Sequence, residues 1–433
     1  MTAPADTLPS RRYAYAVAGF LAVVYTFNFM DRQIMSVLQE PIRREMGLSD
    51  TQLGMLTGLA FALFYTTCGI PVAWLSDRYR RVTIMAVACG VWSLFTAGCG
   101  YARGFGQLAF ARVMVGVGEA GGSPPSYSLL SDYFPAERRG GALAIYSLGV
   151  PIGSALGVAL GGWVAASYGW RAAFVAVGLP GIALALLMLL IVREPARGGF
   201  DPVPAHAPPA GSLASDVRSF FASRTMTLTA ASSGLSAFVG YAMLSWNVPM
   251  LERTKGMTLT EVAAWYSLVL GVTGVIGTFA AGWLVDRLGA RDRRWYAWVP
   301  AIAFALTLPA LAGVVTARTW PAALAFLAVP ALLNNMYLAP ALAVVQNAAP
   351  PHRRSVAGAT LLFILNLVGL GGGPVYLGRI SDMARDSYGE QSLLVGYVAL
   401  FPAVLLTVGA HLLAARSIGR DAGRAVAAVP AAA

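Results

Sequence analysis

The stretch GWLVDRLGAR, at residues 282–291, follows a long apolar segment and has a degenerate earlier copy, AWLSDRYRR, at residues 73–81. A second pair keeps the same spacing: GLSDTQL (47–53) matches GMTLTEV (256–262), which begins 209 residues later. In both halves of the chain the two stretches flank an apolar segment in the same order. Recurrence of this kind indicates a duplicated structural unit. The sequence therefore predicts two similar halves with the same topology.

The composition is that of a membrane protein. Apolar residues make up 57% of the 433 residues and charged residues only 12%, whereas soluble proteins average about 25% charged residues. The mean hydropathy is +0.64. We identify twelve apolar segments of roughly the 20 residues that a helix needs to cross a bilayer. The expected fold is an all-α membrane protein with twelve transmembrane helices in two pseudo-symmetric six-helix bundles.

A segment rich in proline, glycine and alanine separates the sixth and seventh apolar segments. It reads REPARGGFDPVPAHAPPAGSLASD, at residues 193–216, and such a composition is typical of a flexible linker. We expect an N-terminal bundle at residues 1–192, a linker at residues 193–224 and a C-terminal bundle at residues 225–433.

The basic residues are unevenly distributed among the loops. The net charge is +11, and twenty of the 31 basic residues fall in loops on the side of both termini, against eight on the opposite side. Cytoplasmic loops carry the excess of lysine and arginine in membrane proteins. Both termini and the linker are therefore predicted to be cytoplasmic, and no nucleic-acid partner is expected. The bias toward arginine and alanine is typical of a bacterial inner membrane protein.

Several stretches resemble motifs of the major facilitator superfamily. GWLVDRLGAR and its first copy resemble the cytoplasmic loop motif of that family, although Ala73, Arg80 and Val82 depart from it in the first copy. RVMVGVGEA (112–120) resembles its fourth-helix motif. GSALGVALGG (153–162) resembles its fifth-helix glycine motif, with Val158 where antiporters often have proline.

Within the superfamily, the chain resembles the Spinster branch. The resemblance lies in NFMDRQ (28–33), VGVGEAGGSPPSYSLLSDYFP (115–135) and YSLGVPIGSALG (146–157). It implies transport of lysolipid- or sphingolipid-like molecules. Organic-anion symporters of the superfamily carry a stretch similar to NFMDRQ, so a small organic anion is the alternative substrate, and drug or metabolite efflux by antiport is a third.

The charged residues expected inside the membrane are Asp31, Arg32, Arg112 and Glu119, whereas Arg379 lies near an outer helix end, where its side chain is expected to reach the membrane surface. A charge at the bilayer centre costs about 2.5 to 3.5 kcal/mol on insertion scales, so such residues usually have a function. The family resemblance implies that the first and fourth helices line a central cavity, where Asp31, Arg32 and Glu119 are expected to meet. We predict that these four residues couple transport to protons. The alternative is a static Asp31–Arg32 pair that holds the helices in register.

The second half of the chain lacks these charges. The spacing of 209 maps Asp31 to Gly240, and a third repeated pair, FPAERR and APPHRR, lies 215 residues apart and maps Glu119 to Asn334. Proton handling is therefore expected in the first half, with neutral and aromatic contacts to the substrate in the second. Arg32 is a plausible anchor for an anionic headgroup. The predicted substrate cavity is lined by Arg32, Glu119, Tyr241, Trp246, Asn334, Asn335, Tyr337 and Asn366.

The loop motif predicts a cytoplasmic latch. The resemblance implies that its charged residues hold helix ends in one state of the cavity, although a solvated charged turn is the alternative; the residues are Asp77, Arg78, Arg81, Asp286 and Arg287. Glycine recurs every four residues at 149, 153, 157 and 161. Such a stripe permits close helix approach, which we expect across the interface between the bundles.

The sequence thus predicts a proton-coupled secondary transporter that works by alternating access and moves a lysolipid-like or other amphiphilic anion. A membrane enzyme would need a cluster of catalytic or metal-binding residues, and none is recognisable in the sequence. A channel would need repeated polar rings. We expect no cofactor and no metal, and a monomer in the lipid bilayer.

Overall fold

The computed structural model describes residues 10–197, 200, 213–350 and 353–427, and the regular secondary structure in these residues is helical. Within them, nine helices are long and apolar enough to cross a membrane. Two of the nine, 55 and 66 residues long, each contain a glycine with a positive φ angle, Gly169 at 84° and Gly389 at 53°, and so form two spans each. A further span at residues 105–133 is interrupted in its middle. The predicted all-α fold with twelve transmembrane helices is confirmed.

The described residues group into two compact units. The first contains the described residues up to 200 and residues 257–271. Its membrane helices are α1 (Arg11–Val37), α2 (50–78), α3 (Arg81–Cys99), α4 (Phe105–Glu119 and Ser123–Tyr133), α5 (136–168) and α6 (170–191). A short helix, Gln39–Met46, follows α1.

The second unit contains residues 213–256 and the described residues from 272 onward. Its membrane helices are α7 (Arg224–Lys255), the second part of α8 (259–289), α9 (Trp295–Thr316), α10 (320–348), α11 (354–388) and α12 (392–427). A short helix, Leu213–Ala222, precedes α7. Residues 198–199 and 201–212 of the predicted linker lie outside the described residues, and the domain boundaries stay a prediction.

The internal repeat appears in the local structure before α2 and α8. Gly47 and Gly256 each end the preceding helix in the left-handed conformation, at φ 63° and 70°. Two residues later, Ser49 and Thr258 cap the next helix in a capping box with the side chain three positions on. Both helices then pass through a π-helical turn, at Met55–Leu59 and Val262–Tyr266. The repeated sequence therefore dictates the same chain reversal and helix start in both halves.

The glycine stripe of α5 packs against α1. A Cβ atom at Gly149, Gly153 or Gly157 would come within 2.9 Å or less of α1 atoms, at Gly153 within 2.3 Å of the Thr26 carbonyl oxygen. Both helices belong to the first unit. The expectation that the stripe spans the interface between the bundles is therefore wrong at these positions. Their absent side chains bring α1 close to α5 and fix the position of the Asp31–Arg32 segment.

Candidate functional site

Arg32 and Glu119 form an ion pair between α1 and α4. Nε of Arg32 donates to Oε2 of Glu119 at 2.6 Å, and the two side chains are 15% and 0% exposed. Glu119 is the last residue of the first segment of α4, because the chain turns at residues 120–122 before Ser123 and two prolines start the next segment. The break places the carboxylate at a helix end facing α1. Of the residues predicted to meet, Arg32 and Glu119 are in direct contact.

An aromatic cage surrounds the Arg32 guanidinium. Its Cζ lies 4.8 Å from the ring centroid of Phe29, 5.0 Å from that of Phe61 and 4.7 Å from that of Tyr65. Phe61 and Tyr65 stand one turn apart on α2 and stack at 5.4 Å. Sequence reasoning missed all three rings. Phe29 stands one turn before Arg32 on α1, which is a local signal. The one-turn spacing of Phe61 and Tyr65 on α2 does not identify a partner on another helix.

Asp31 and Arg112 are each 1% exposed and lie beside this pair. Asp31 lies close enough to Glu119 and Arg112 to interact with both electrostatically. Nε of Arg112 donates to the Leu56 carbonyl oxygen at 3.3 Å, within the π-helical turn of α2, and its Cζ lies 5.3 Å from the Phe61 ring centroid. All four charged residues of the predicted coupling site are therefore gathered within the first unit.

The positions related by the repeat also meet in the second unit. A Cβ atom at Gly240 would lie 2.1 Å from Nδ2 of Asn334, so the missing side chain on α7 makes room for the amide on α10. Tyr241 lies near the buried Tyr337, whose ring is 6.4 Å from that of Phe304. An uncharged contact thus occupies the place that corresponds to Asp31 and Glu119 in the first unit.

The other predicted cavity residues of the second unit are dispersed. Trp246 is fully buried, and its Nε1 donates to the Pro374 carbonyl oxygen at 2.9 Å, so this side chain packs α7 against α11. Asn335 is exposed, and its amide donates to the Ala331 carbonyl oxygen at 3.4 Å. Asn366 lies half-buried in the π-helical segment of α11. These three are not brought together with Asn334 and Tyr337 in the way that the first-unit charges are.

Arg81 is the centre of a charged cluster at the start of α3. Its side chain is 2% exposed, its Nε donates to Oε1 of Glu194 at 2.7 Å, and its Nη1 donates to Asp132 at the end of α4. The other carboxylate oxygen of Glu194 accepts from the backbone N–H of Val82 at 3.0 Å. The cluster ties α3 to α4 and to the segment after α6. Sequence reasoning missed Asp132 and Glu194, which lie far from Arg81 in the chain.

The remaining latch residues differ between the two copies of the motif. The guanidinium of Arg78 stacks on Trp74 at 3.7 Å and that of Arg287 on Trp283 at 5.4 Å, both on exposed tryptophans. Asp286 is exposed. The side chain of Asp77 lies outside the described part of the structure. The buried ion pairs thus belong to the first copy, through Arg81.

The chain is similar to known transporters along most of its length. The sequence profile of the Major Facilitator Superfamily matches residues 21–374. An MFS-type efflux pump of Mycolicibacterium smegmatis is 35% identical over 95% of this chain and 94% of its own length. Protein spinster of Drosophila melanogaster is 28% identical over 88% of this chain and 64% of its own. The crystal structure of a bacterial homologue of the human lysosomal transporter Spinster, in an inward-facing and unoccupied conformation, superposes with a TM-score of 0.85 at 30% identity, covering 95% and 99% of the two chains.

Proposed function

This chain belongs to the major facilitator superfamily and is a multi-pass membrane transporter rather than an enzyme, and we propose that it moves an amphiphilic anion in exchange with, or together with, protons by alternating access. The observation that carries the proposal is the buried Arg32–Glu119 pair with Asp31 beside it. Charges are kept inside a membrane bundle at a cost, so they are expected to act in transport.

The Arg32 site suits an anionic headgroup attached to an apolar chain. The guanidinium is 15% exposed, its aromatic cage holds it in a fixed orientation, and a planar guanidinium binds a phosphate or carboxylate through two N–H donors. The rings that surround it offer apolar surface next to the charge. The resemblance to the Spinster branch, which implies lysolipid- or sphingolipid-like molecules, favours a lysolipid-like substrate.

The coupling step follows from competition for Arg32. When an anionic substrate binds the guanidinium, Glu119 loses its counter-charge in a buried site, where a carboxylate is stabilised by protonation. Proton binding by Glu119, or by its neighbour Asp31, then accompanies substrate binding. Release of the substrate lets Arg32 return to Glu119 and displaces the proton. Asp31, Arg32, Arg112 and Glu119 are the proposed coupling residues.

We place the protein in the inner membrane of a bacterium as a monomer, with both termini in the cytoplasm. The excess of arginine in loops on the side of the termini supports this orientation. The Arg81 cluster then lies at the cytoplasmic ends of α3 and α4, where it is proposed to hold one state of the cavity.

Drug or metabolite efflux is a second candidate. The observation in its favour is the 35% identity to the mycobacterial efflux pump over 95% of this chain. Efflux would use the same carboxylates in antiport, with a cationic or neutral substrate in place of the anion. The two candidates differ in whether Arg32 contacts the substrate.

The test is proton movement in proteoliposomes on addition of a lysophospholipid, for wild type, Asp31→Asn and Glu119→Gln. The matched control is Glu45→Gln, because Glu45 also pairs with an arginine, Arg171 at 2.5 Å, but is half exposed. We expect substrate-driven proton movement in wild type and Glu45→Gln, and its loss in one or both of the other variants.

Two outcomes would contradict the proposal. If wild type carries the lysolipid without moving protons and both variants carry it equally well, the ion pair is structural. If no lysolipid moves but a small organic anion or a drug drives protons, the transporter acts on that class instead.

A further inference from the structure

Five buried polar atoms around the coupling residues make no hydrogen bond of good geometry within the described residues. They belong to three helices of the first unit, α1, α3 and α4. They are Oδ1 of Asp31, Nε1 of Trp92, Oγ1 of Thr96, Nη1 of Arg112 and Oε1 of Glu119. Buried polar groups in native proteins are nearly always satisfied by protein or by ordered water. Five such atoms around one site therefore indicate a bound species that satisfies them.

The helix geometry gathers these atoms along one face of α3. Trp92 and Thr96 stand one turn apart on that helix, and the Thr96 hydroxyl lies within hydrogen-bonding reach of the Asp31 carboxylate. The backbone of Trp92 touches α4, since a Cβ at Gly118 would lie 2.6 Å from the Trp92 backbone nitrogen. The indole ring extends along α4 to within 3.7 Å of the Cβ position of Gly122. Trp92 thus runs past Glu119 toward the second segment of α4.

A small cavity opens at the far end of this indole. It is lined by Tyr25, Asn28, Trp92, Ser126 and Tyr146 together with apolar side chains, and it has room for about one water molecule. Asn28 lies within reach of the Glu119 carboxylate, which joins the cavity to the coupling site. Along α1, Tyr25 and Asn28 lie between Asp31 and the N-terminal end of the helix.

The chemistry of the five atoms selects water. Asp31 and Glu119 present acceptors, Trp92 and Arg112 present donors, and Thr96 can do either. A metal cation would leave the indole and guanidinium N–H groups unsatisfied, and an anion would be repelled by the two carboxylates. A water molecule both donates and accepts hydrogen bonds, so a small group of waters can bridge all five atoms.

We propose that α1, α3 and α4 enclose a chamber of bound water that connects Asp31 and Glu119 to the N-terminal side of α1, with Trp92 and Thr96 as positioning residues. The binding of water here is independent of the proposed function, whereas the role of the chamber in moving protons rests on it. Protons reach the carboxylates through these waters and the cavity at Asn28 and Ser126.

Other titratable and charged groups also face this region. They are Tyr25, Tyr65, Tyr127 and Tyr146 on one side of the coupling site, Cys89 and Cys99 on α3, and the guanidinium groups of Arg32 and Arg112. These other groups are tyrosines, cysteines and arginines, so Asp31 and Glu119 supply the carboxylates of the region. The waters therefore exchange protons with these two carboxylates, and the positive charges of Arg32 and Arg112 balance the negative charges of the carboxylates.

The first test measures hydration directly, without any transport. Protein with 15N-labelled tryptophan is placed in lipid nanodiscs, and magnetisation transfer from water to each indole N–H is recorded. Trp246 is the matched control, because it is equally buried but its Nε1 is already donated to a carbonyl. Trp92→Phe and Trp246→Phe assign the two signals. We expect transfer to Trp92 and none to Trp246; no transfer to either would overturn the chamber.

The second test separates proton delivery from substrate binding. Thr96→Val replaces the hydroxyl with a methyl group, and Trp92→Phe removes the indole N–H together with part of the ring. Thr57→Val is the control, since the Thr57 hydroxyl is buried but already donates to the Leu53 carbonyl oxygen at 2.9 Å. Substrate-driven proton movement should fall at least about tenfold in the first two variants. Counterflow, which exchanges substrate without net proton movement, should be unchanged.

The outcomes distinguish the two proposals. If Asp31→Asn and Glu119→Gln abolish coupling but Trp92 shows no water contact, the chamber is wrong and the transport function stands. If Trp92 contacts water but wild type moves no protons, the chamber exists and proton coupling fails. If both positioning variants couple like wild type, the waters do not deliver protons.

Discussion

The environment of Arg32 shows how a guanidinium can be kept inside a membrane bundle. One carboxylate neutralises it at 2.6 Å, and three rings lie within 5.0 Å of its Cζ. Each cation–π contact contributes about 0.5 to 2 kcal/mol, depending on desolvation. The Nε–H donates to the carboxylate, and the side chain remains 15% exposed, so a ligand group can approach the guanidinium from the exposed side.

Replacement of Arg32 by lysine should weaken binding of the substrate while keeping the charge. An ammonium group cannot stack between rings or donate two parallel hydrogen bonds to a phosphate. We expect the Kd for a lysophospholipid to rise about tenfold, which corresponds to about 1.4 kcal/mol. Titration calorimetry on the detergent-solubilised protein measures it, with Arg44→Lys as the control because its side chain is 69% exposed. Equal affinity in Arg32→Lys and wild type would show that Arg32 does not contact the substrate.

At the scale of the helix, the position of α1 is set by glycines of α5, which have no side chains. Three glycines of α5 leave room for α1 backbone and side-chain atoms at distances that no side chain would permit. This contact sets the height and rotation of the segment that carries Asp31 and Arg32. The proposed coupling site therefore depends on glycines, which have no polar side chain of their own.

Gly153→Ala should destabilise the first unit and impair transport. The added methyl would meet the Thr26 carbonyl oxygen at 2.3 Å, and overpacking of this kind costs about 1 to 3 kcal/mol. Gly98→Ala is the control, because that helical position in α3 has nothing within 4 Å of the new Cβ. Thermal unfolding in detergent should show a lower Tm for Gly153→Ala and an unchanged or higher Tm for Gly98→Ala. The same Tm in both variants would mean that α1 and α5 can separate freely.

Local features of the helices could be predicted from the sequence, whereas most contacts between helices could not. The contact of Arg32 with Glu119 was expected only through the family resemblance. Ser49 and Thr258 each form a capping box with the residue three positions on, so both partners can be recognised directly in the sequence. The glycine period of α5 identifies a face but not the helix that covers it, and the predicted partner was wrong. Phe29 lies three residues before Arg32, but Phe61, Tyr65 and the two carboxylates that bind Arg81 come from distant segments, and nothing in their spacing relates them to the arginines.

At the scale of the whole molecule, the two halves of the duplicated architecture differ in charge at corresponding positions. The first unit places an ion pair where the second places Gly240 against Asn334. The repeat predicted this difference, because the aligned positions are charged in one half and neutral in the other. The proposed proton site would then lie in the first unit, and the second unit would offer a neutral surface at the corresponding positions.

The orientation of the molecule is the property that its overall charge distribution predicts. Twenty basic residues fall on the side of the termini and eight on the other, so the loop between α3 and α4 should face outward and the start of α5 should face the cytoplasm. Single cysteines at Tyr101, which is 75% exposed, and at the exposed Glu137 test this after Cys68, Cys89 and Cys99 are replaced by serine. In intact cells, a membrane-impermeant maleimide should label Tyr101→Cys alone, and both variants should react after permeabilisation. Labelling of Glu137→Cys alone in intact cells would show that the topology is the reverse of the predicted one, with the Arg81 cluster on the outer side.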